Sequence, residues 1–415
     1  MKPSLATLDN GLRVVMAPCE AESVAFGILI DSGSRHEPEE LGGISHFIEH
    51  MLFKGTPSRK PIDISRAIEG RGGNFNAYTG EEGTCFFAHL PSDYLSEAMD
   101  ILSDMYLNAS IPAGEFRREK QVILEEIKMY SDEPDSVAQE NLQRSIFPRN
   151  QLGAPVAGSE RTLAPMTPAT LRKYIATHYL PHKTVISVAG AFNSAALVKA
   201  VEKAFAPLDD RARRVRGTFA AQPVDFSYPP VSEMIASRDV KQTQLALGYR
   251  TFGIQDKRKY ALTVMDAILG RGMSSRLFQS VREKRGLSYD ISSRAQFFSD
   301  AGMFGIAAGL DPSKAEEALA TIDRELTRIK TRKVPEEELE RTKEFLIGNF
   351  RLSHEKVLSK MLFHGSTTMA FGRLVTTTEQ IKEIRKVTPE DIIEVAREVL
   401  VNDNRSVSWV VPTPT

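Results

Sequence analysis

The chain has 415 residues, 41% of them apolar, with 53 basic against 54 acidic side chains. That length supports two or three domains with ordinary cores, and the near-neutral balance excludes a global pull toward nucleic acid or an anionic membrane surface. The two cysteines, Cys19 and Cys85, are too few for a disulfide framework, so a reducing compartment is expected.

In chain order, Leu12–Met16 follows the turn pair Asn10-Gly11 and reads as a strand, and Val24–Ile30 reads as a second, more apolar one. The loop Glu37-Pro38-Glu39-Glu40-Leu41-Gly42 then leads into Gly43-Ile44-Ser45-His46-Phe47-Ile48-Glu49-His50-Met51-Leu52-Phe53. On a helix, positions four apart share a face, so His46 and His50 present two imidazoles to one point, with Glu49 at the edge of that face. Ile44, Phe47, Ile48, Met51 and Leu52 make the rest of the helix apolar, which predicts burial nearly all round and a stop at Gly55. His-x-x-Glu-His is the inverted form of the common zinc-protease motif: two nitrogen ligands and a carboxylate able to act as base. The competing reading is a pair of capped or buried helix histidines with no ligand role.

Further on, Ile62–Glu69 is a short predicted helix closed by Gly70, Gly72 and Gly73, and Asn74–Thr79 and Thr84–Leu90 are strands. A helix opens after Pro91-Ser92-Asp93, and a long one spans about Glu115 to Tyr130. Helices at Ser136–Ile146 and Pro168–Tyr179, a strand at Thr184–Ala189 and a helix at Ser194–Phe205 close the first half. Residues 207–231 are rich in charge, proline and small residues and read as a linker between domains 1–206 and 232–415. The basic run Arg211-Ala212-Arg213-Arg214-Val215-Arg216 falls there and reads as a solvated segment. The second half offers a strand at Leu245–Tyr249, helices at Tyr260–Leu269 and Ser275–Lys284, strands at Ser288–Phe298 and Gly302–Leu310, and long helices at Pro312–Arg328 and Pro335–Leu352.

The halves repeat at an offset of about 220 residues. Leu90 with Glu97-Ala98 recurs as Leu310 with Glu317-Ala318, Thr167-Pro168 recurs as Thr388-Pro389, and the strand Val185–Val188 recurs as Ser406–Trp409. The expected architecture is α+β: two homologous domains, each a mixed β-sheet covered by helices. The chemistry does not repeat, because the second half has no His-x-x-Glu-His.

Catalytic zinc ordinarily takes three protein ligands, so one more must come from elsewhere. On the long helix, positions seven apart return to within about 20° of the same azimuth. Glu119 and Glu126 therefore share a face, while Glu125 points about 100° away. One of the pair can bind metal and the other can stand behind it; spacing does not say which. Val122, Ile123 and Ile127 flank the pair and predict partial burial.

With these residues in view, the sequence resembles the pitrilysin/insulinase-type zinc peptidases, specifically the branch of the mitochondrial processing peptidase β-subunit and its bacterial relatives. The resemblance is carried by His46-Phe47-Ile48-Glu49-His50 followed by Glu119-Lys120-Gln121-Val122-Ile123-Leu124-Glu125-Glu126-Ile127, by Gly72-Gly73-Asn74-Phe75-Asn76-Ala77-Tyr78-Thr79, and by Arg282-Glu283-Lys284-Arg285-Gly286-Leu287-Ser288-Tyr289. It implies His46, His50 and Glu126 as ligands of one Zn2+ per chain, Glu49 as general base and Glu119 as an outer partner of the site. It implies an extended peptide substrate along the strand bearing Asn76, Ala77 and Thr79. It also implies that Arg282 and Tyr289 reach the substrate from an inactive second half that closes like a clamshell. Ile347 stands where Glu126 would recur. A zinc metalloendopeptidase acting on unfolded or extended peptides is expected, as a homodimer or a heterodimer with a related subunit. The alternative is a non-catalytic structural or substrate-binding subunit; a plain metal-binding protein would have no need of Glu49. No signal segment or membrane-spanning run is apparent, and a cytoplasmic protein is expected.

Overall fold

A computed structural model describes residues 2–208 and 221–413, so the basic run Arg211–Arg216 lies outside the described residues. The chain forms two compact units. The first runs to Ile127, resumes over Ala154–Gln222 and takes in Arg351–Thr376; the second comprises Lys128–Gly153, Pro223–Phe350 and the chain from Thr377.

The first unit is built on a six-stranded sheet in the order β1-β2-β6-β3-β5-β4. Its strands are β1 (Ser4–Thr7), β2 (Arg13–Pro18), β3 (Ser23–Ile30), β4 (Asn74–Thr79), β5 (Thr84–Pro91) and β6 (Thr184–Gly190). Only β2 and β6 run parallel; the other neighbours are antiparallel. The central strand β3 is buried on both faces, as its unbroken apolar run Val24–Ile30 requires. One face packs on the histidine helix Ile44–Leu52 and its neighbours, around Phe26, Ile28, Phe47, Ile48, Met51 and Phe86. The other face carries small residues and is covered by the helix Val357–Phe371 from late in the chain. A side chain at Gly27 would strike the Met361 sulfur, and Ser187 Oγ donates to the Met361 carbonyl at 2.6 Å. Among the described residues, strand β4 pairs only with β5 and forms the sheet edge.

The second unit has a five-stranded sheet in the order β7-β11-β8-β10-β9, from β7 (Glu233–Arg238), β8 (Thr243–Phe252), β9 (Ser288–Phe297), β10 (Ala301–Leu310) and β11 (Arg405–Pro412). Setting β1 aside, the two orders match strand for strand, down to one parallel pair at one margin, β7 with β11. One face packs on the helices Lys259–Gly270, Ala315–Thr331 and Glu336–Ser353. The other is covered by Pro134–Ile146, a helix from the first half of the sequence. Residues after Gln222 are tied to this unit: the Val224 N–H donates to Asp300 Oδ2 and the Val231 N–H to the Ser145 carbonyl.

Several sequence expectations needed adjustment. Strand β7 finds its partner β11 only at the far end of the chain, and the helix Val357–Phe371, from the second half of the sequence, packs on the sheet of the first unit. The segment after Ser275 becomes a π-helical stretch, Phe278–Glu283. The histidine helix ends at Leu52, three residues before Gly55, which takes φ 103° in the turn that follows. Val122 is 49% exposed, so it does not help bury the glutamate pair, whereas Ile123 is fully buried.

Candidate metal centre

The histidine helix begins at Gly43, whose φ of 93° and close approach to the Ala157 carbonyl leave no room for a side chain. Its first N–H groups are taken by Glu37: the Gly43 and Ser45 amides donate to the two carboxylate oxygens, each at 2.7 Å. Burial pushes the Glu37 pKa up to about 7, against the lowering pull of those two donors. Ile44, Phe47, Ile48, Met51 and Leu52 are at most 1% exposed, which fixes the helix and turns His46, Glu49 and His50 to the remaining face.

The long helix Ala113–Asp132 brings Glu126 to that face. Glu126 Oε2 lies 3.7 Å from His46 Nε2 and 3.6 Å from His50 Nε2. Among the described residues, these three are the group whose donor atoms, all within 4.8 Å of one another, could hold a metal ion. Donors at bond lengths of about 2.0–2.2 Å around a tetrahedral ion stand roughly 3.3–3.6 Å apart, so this set fits zinc. Burial, with His50 beside it, lowers the His46 pKa to about 4, which keeps that imidazole neutral at pH 7 as a ligand must be. Glu125 is exposed on another face of the helix.

Glu119, one face-repeat earlier, is only 8% exposed. Its Oε2 lies 3.1 Å from His50 Nδ1, and its Oε1 lies 2.8 Å from Lys54 Nζ. His46 has no such support: its Nδ1 is buried without a hydrogen-bond partner among the described residues. Glu49 accepts a 2.5 Å hydrogen bond at Oε2 from the Thr79 hydroxyl. Burial raises the Glu49 carboxyl above its ordinary value; the Thr79 bond and His50 oppose this and Glu126 reinforces it.

Of the three residues expected along the substrate strand, Thr79 thus reaches Glu49. Asn76 is exposed on the edge strand, and its Oδ1 accepts from the Ala77 amide at 2.8 Å. In the second unit, Arg282 lies in the segment Phe278–Glu283 and Tyr289 is the second residue of β9. The Arg282 guanidinium sits 5.0 Å from the centre of the Tyr289 ring, and Tyr289 is 80% exposed. Sequence reasoning passed over Lys54, Glu37 and the Thr79–Glu49 bond. The fourfold spacing of Lys54 from His50 was the one signal available for any of them.

An α+β chain of two like units, with an inverted histidine motif on one helix and a glutamate facing it from another, has the arrangement of an insulinase-type peptidase. Residues 13–160 match the family model described as insulinase, peptidase family M16, and residues 165–346 match that described as the peptidase M16 inactive domain. The chain is 35% identical over 398 residues to the uncharacterized zinc protease YmxG of Bacillus subtilis, covering 96% of this chain and 95% of that one. It is also 35% identical to an uncharacterized zinc protease of Streptomyces coelicolor, covering 95% of this chain and 86% of that one. A crystal structure of a protease from Helicobacter pylori has the same fold, with a TM-score of 0.89 at 22% identity over 99% of both chains. The protein belongs to peptidase family M16. No helix among the described residues is long and apolar enough to cross a membrane.

Proposed function

We propose that this chain is a zinc metalloendopeptidase that hydrolyses peptide bonds in unfolded or extended peptides, in the manner of a processing peptidase. The observation that carries the reading is the convergence of His46, His50 and Glu126 donor atoms on one point, with Glu49 on the same helix. These three residues hold one zinc ion per chain. A zinc ion there supplies Lewis acidity, lowering the pKa of the attacking water and polarising the scissile carbonyl. Glu49 takes the proton from that water and returns it to the leaving amine. Thr79 orients the Glu49 carboxylate from the neighbouring strand, so that one oxygen is held and the other is left for the proton. The substrate lies along β4, whose outer edge has no strand partner among the described residues and can accept one by main-chain pairing. Asn76 and Ala77 line that edge. Arg282 and Tyr289 contribute donors to the substrate from the second unit, and the active form is a homodimer or pairs with a related subunit.

The test is direct. The purified chain is analysed for zinc and assayed on quenched-fluorescence peptides with and without a chelator. About one zinc per chain and chelator-sensitive cleavage are expected. Zinc without cleavage, by the chain alone and with any related subunit, favours the non-catalytic role.

A further inference from the structure

The two candidate imidazole ligands are held differently. His46 Nδ1 is buried with no partner among the described residues, whereas His50 Nδ1 faces Glu119 at 3.1 Å. Glu119 is itself nearly buried, and a carboxylate in that setting needs partners for both oxygens. His50 meets one; Lys54 Nζ meets the other at 2.8 Å. Lys54 stands just past the end of the histidine helix, where its amide still bonds back to the Met51 carbonyl. That turn places the ammonium about one helical turn below His50, on the side of Ala113–Asp132. The Lys54 side chain is 26% exposed and that of Glu119 10%, so the pair is only partly screened by water.

We propose that Lys54 is a positioning residue for the metal centre. Its ammonium holds one Glu119 oxygen and thereby aims the other at His50 Nδ1. Glu119 then accepts the Nδ1–H, which fixes the tautomer and leaves the Nε2 lone pair on the side of Glu126. The chain Lys54–Glu119–His50 gives His50 the outer support that His46 lacks. The inference rests on the reading of His50 as a ligand, and it separates Lys54 from an ordinary interhelical ion pair. An ion pair that only tied the two helices together would alter stability and leave metal affinity alone.

Zinc dissociation constants measured by competition with a chromophoric chelator test it, for wild type, Lys54→Met, Lys54→Arg, Glu119→Gln and the double variant Lys54→Met/Glu119→Gln. Thermal melts of the zinc-free proteins run alongside. Lys54→Met is expected to weaken zinc binding by about 10–100-fold, the range for an outer partner of a metal ligand. Lys54→Arg should restore most of it, because a guanidinium can hold the same oxygen. In the Glu119→Gln background, Lys54→Met should cost nothing further, since the lysine acts only through Glu119. Should Lys54→Met fold poorly, Lys54→Gln reads the same affinity with a neutral polar chain. A Lys54→Met protein that binds zinc as tightly as wild type overturns the inference and leaves the proposed function standing. So does a loss that persists in full without Glu119. A wild-type chain that takes up no zinc overturns both.

Discussion

The two units share a strand order and differ in what their equivalent helices carry. In the first, the helix after β3 presents His46, Glu49 and His50 on one face. In the second, the helix after β8, Lys259–Gly270, buries Leu262, Val264, Met265, Ile268 and Leu269, and its one acid, Asp266, is fully buried against Arg271 and Ser293. On the long helix the first unit has Glu126, with a side chain 24% exposed; the second has Ile347, fully buried in the core. A duplicated sheet-and-helix frame therefore does not need the metal site to hold together. The second unit fills the place of Glu126 with apolar Ile347, which requires no partner, and ties its one buried acid on the equivalent helix to Arg271 and Ser293, whereas the first turns polar groups toward one point.

The largest expected effect lies in that contrast. His46→Ala, His50→Ala and Glu126→Gln should each lose most of the bound zinc, whereas Ile347→Glu should add none and should destabilise the second unit by placing a carboxylate in its core. Metal analysis after gel filtration reads this. Zinc lost with Glu125→Gln but retained with Glu126→Gln would make the assigned third ligand wrong. Next comes Glu49→Gln, nearly isosteric, which should keep zinc and the fold while lowering turnover by about 10²–10⁴-fold. Near wild-type cleavage by that variant excludes Glu49 as the base.

The second unit is not expected to be inert. Tyr289→Phe should lower kcat by roughly 10²–10³-fold with zinc content unchanged, the usual effect of one lost donor to a developing oxyanion. Unchanged kcat would remove Tyr289 from the reaction and sharpen the asymmetry between the units. The smallest effect should be symmetric. Thr167 and Thr388 open equivalent helices, each hydroxyl accepting an amide three residues on at 3.2 Å, from Thr170 and Asp391 respectively. Thr167→Ala and Thr388→Ala should each cost about 0.5–2 kcal/mol in denaturant unfolding. A marked inequality would show that the repeated caps are not equivalent in their surroundings.

Much of the candidate site could be read before any fold was known. The fourfold histidine spacing and the sevenfold glutamate spacing are helix periodicities, and these follow from local geometry alone. The choice between Glu119 and Glu126 could not be made that way, because both occupy one face. It depends on how the long helix crosses the histidine helix, which puts Glu126 by both Nε2 atoms and Glu119 by one Nδ1. The role of Lys54 is undecided by sequence for the same reason: its fourfold spacing from His50 does not name a partner that lies on a different helix.

The sequence by itself determined the repeat, the helix carrying both histidines, the strands flanking it and the absence of that motif from the second half. Periodicity, glycine and proline placement and helix caps are local, so they can be read from neighbours in the chain. Only the tertiary structure decided which sheet each covering helix serves. Pro134–Ile146, early in the chain, packs on β8 and β11, and Val357–Phe371, late in the chain, packs on β2, β3 and β6. An apolar stripe states that a helix must be covered. It does not name the surface that covers it, because burial is non-directional and many apolar faces would serve. Shape made the choice, in contacts such as Gly27 beneath Met361 and Gly365 against Leu29, where only small residues let helix and sheet approach.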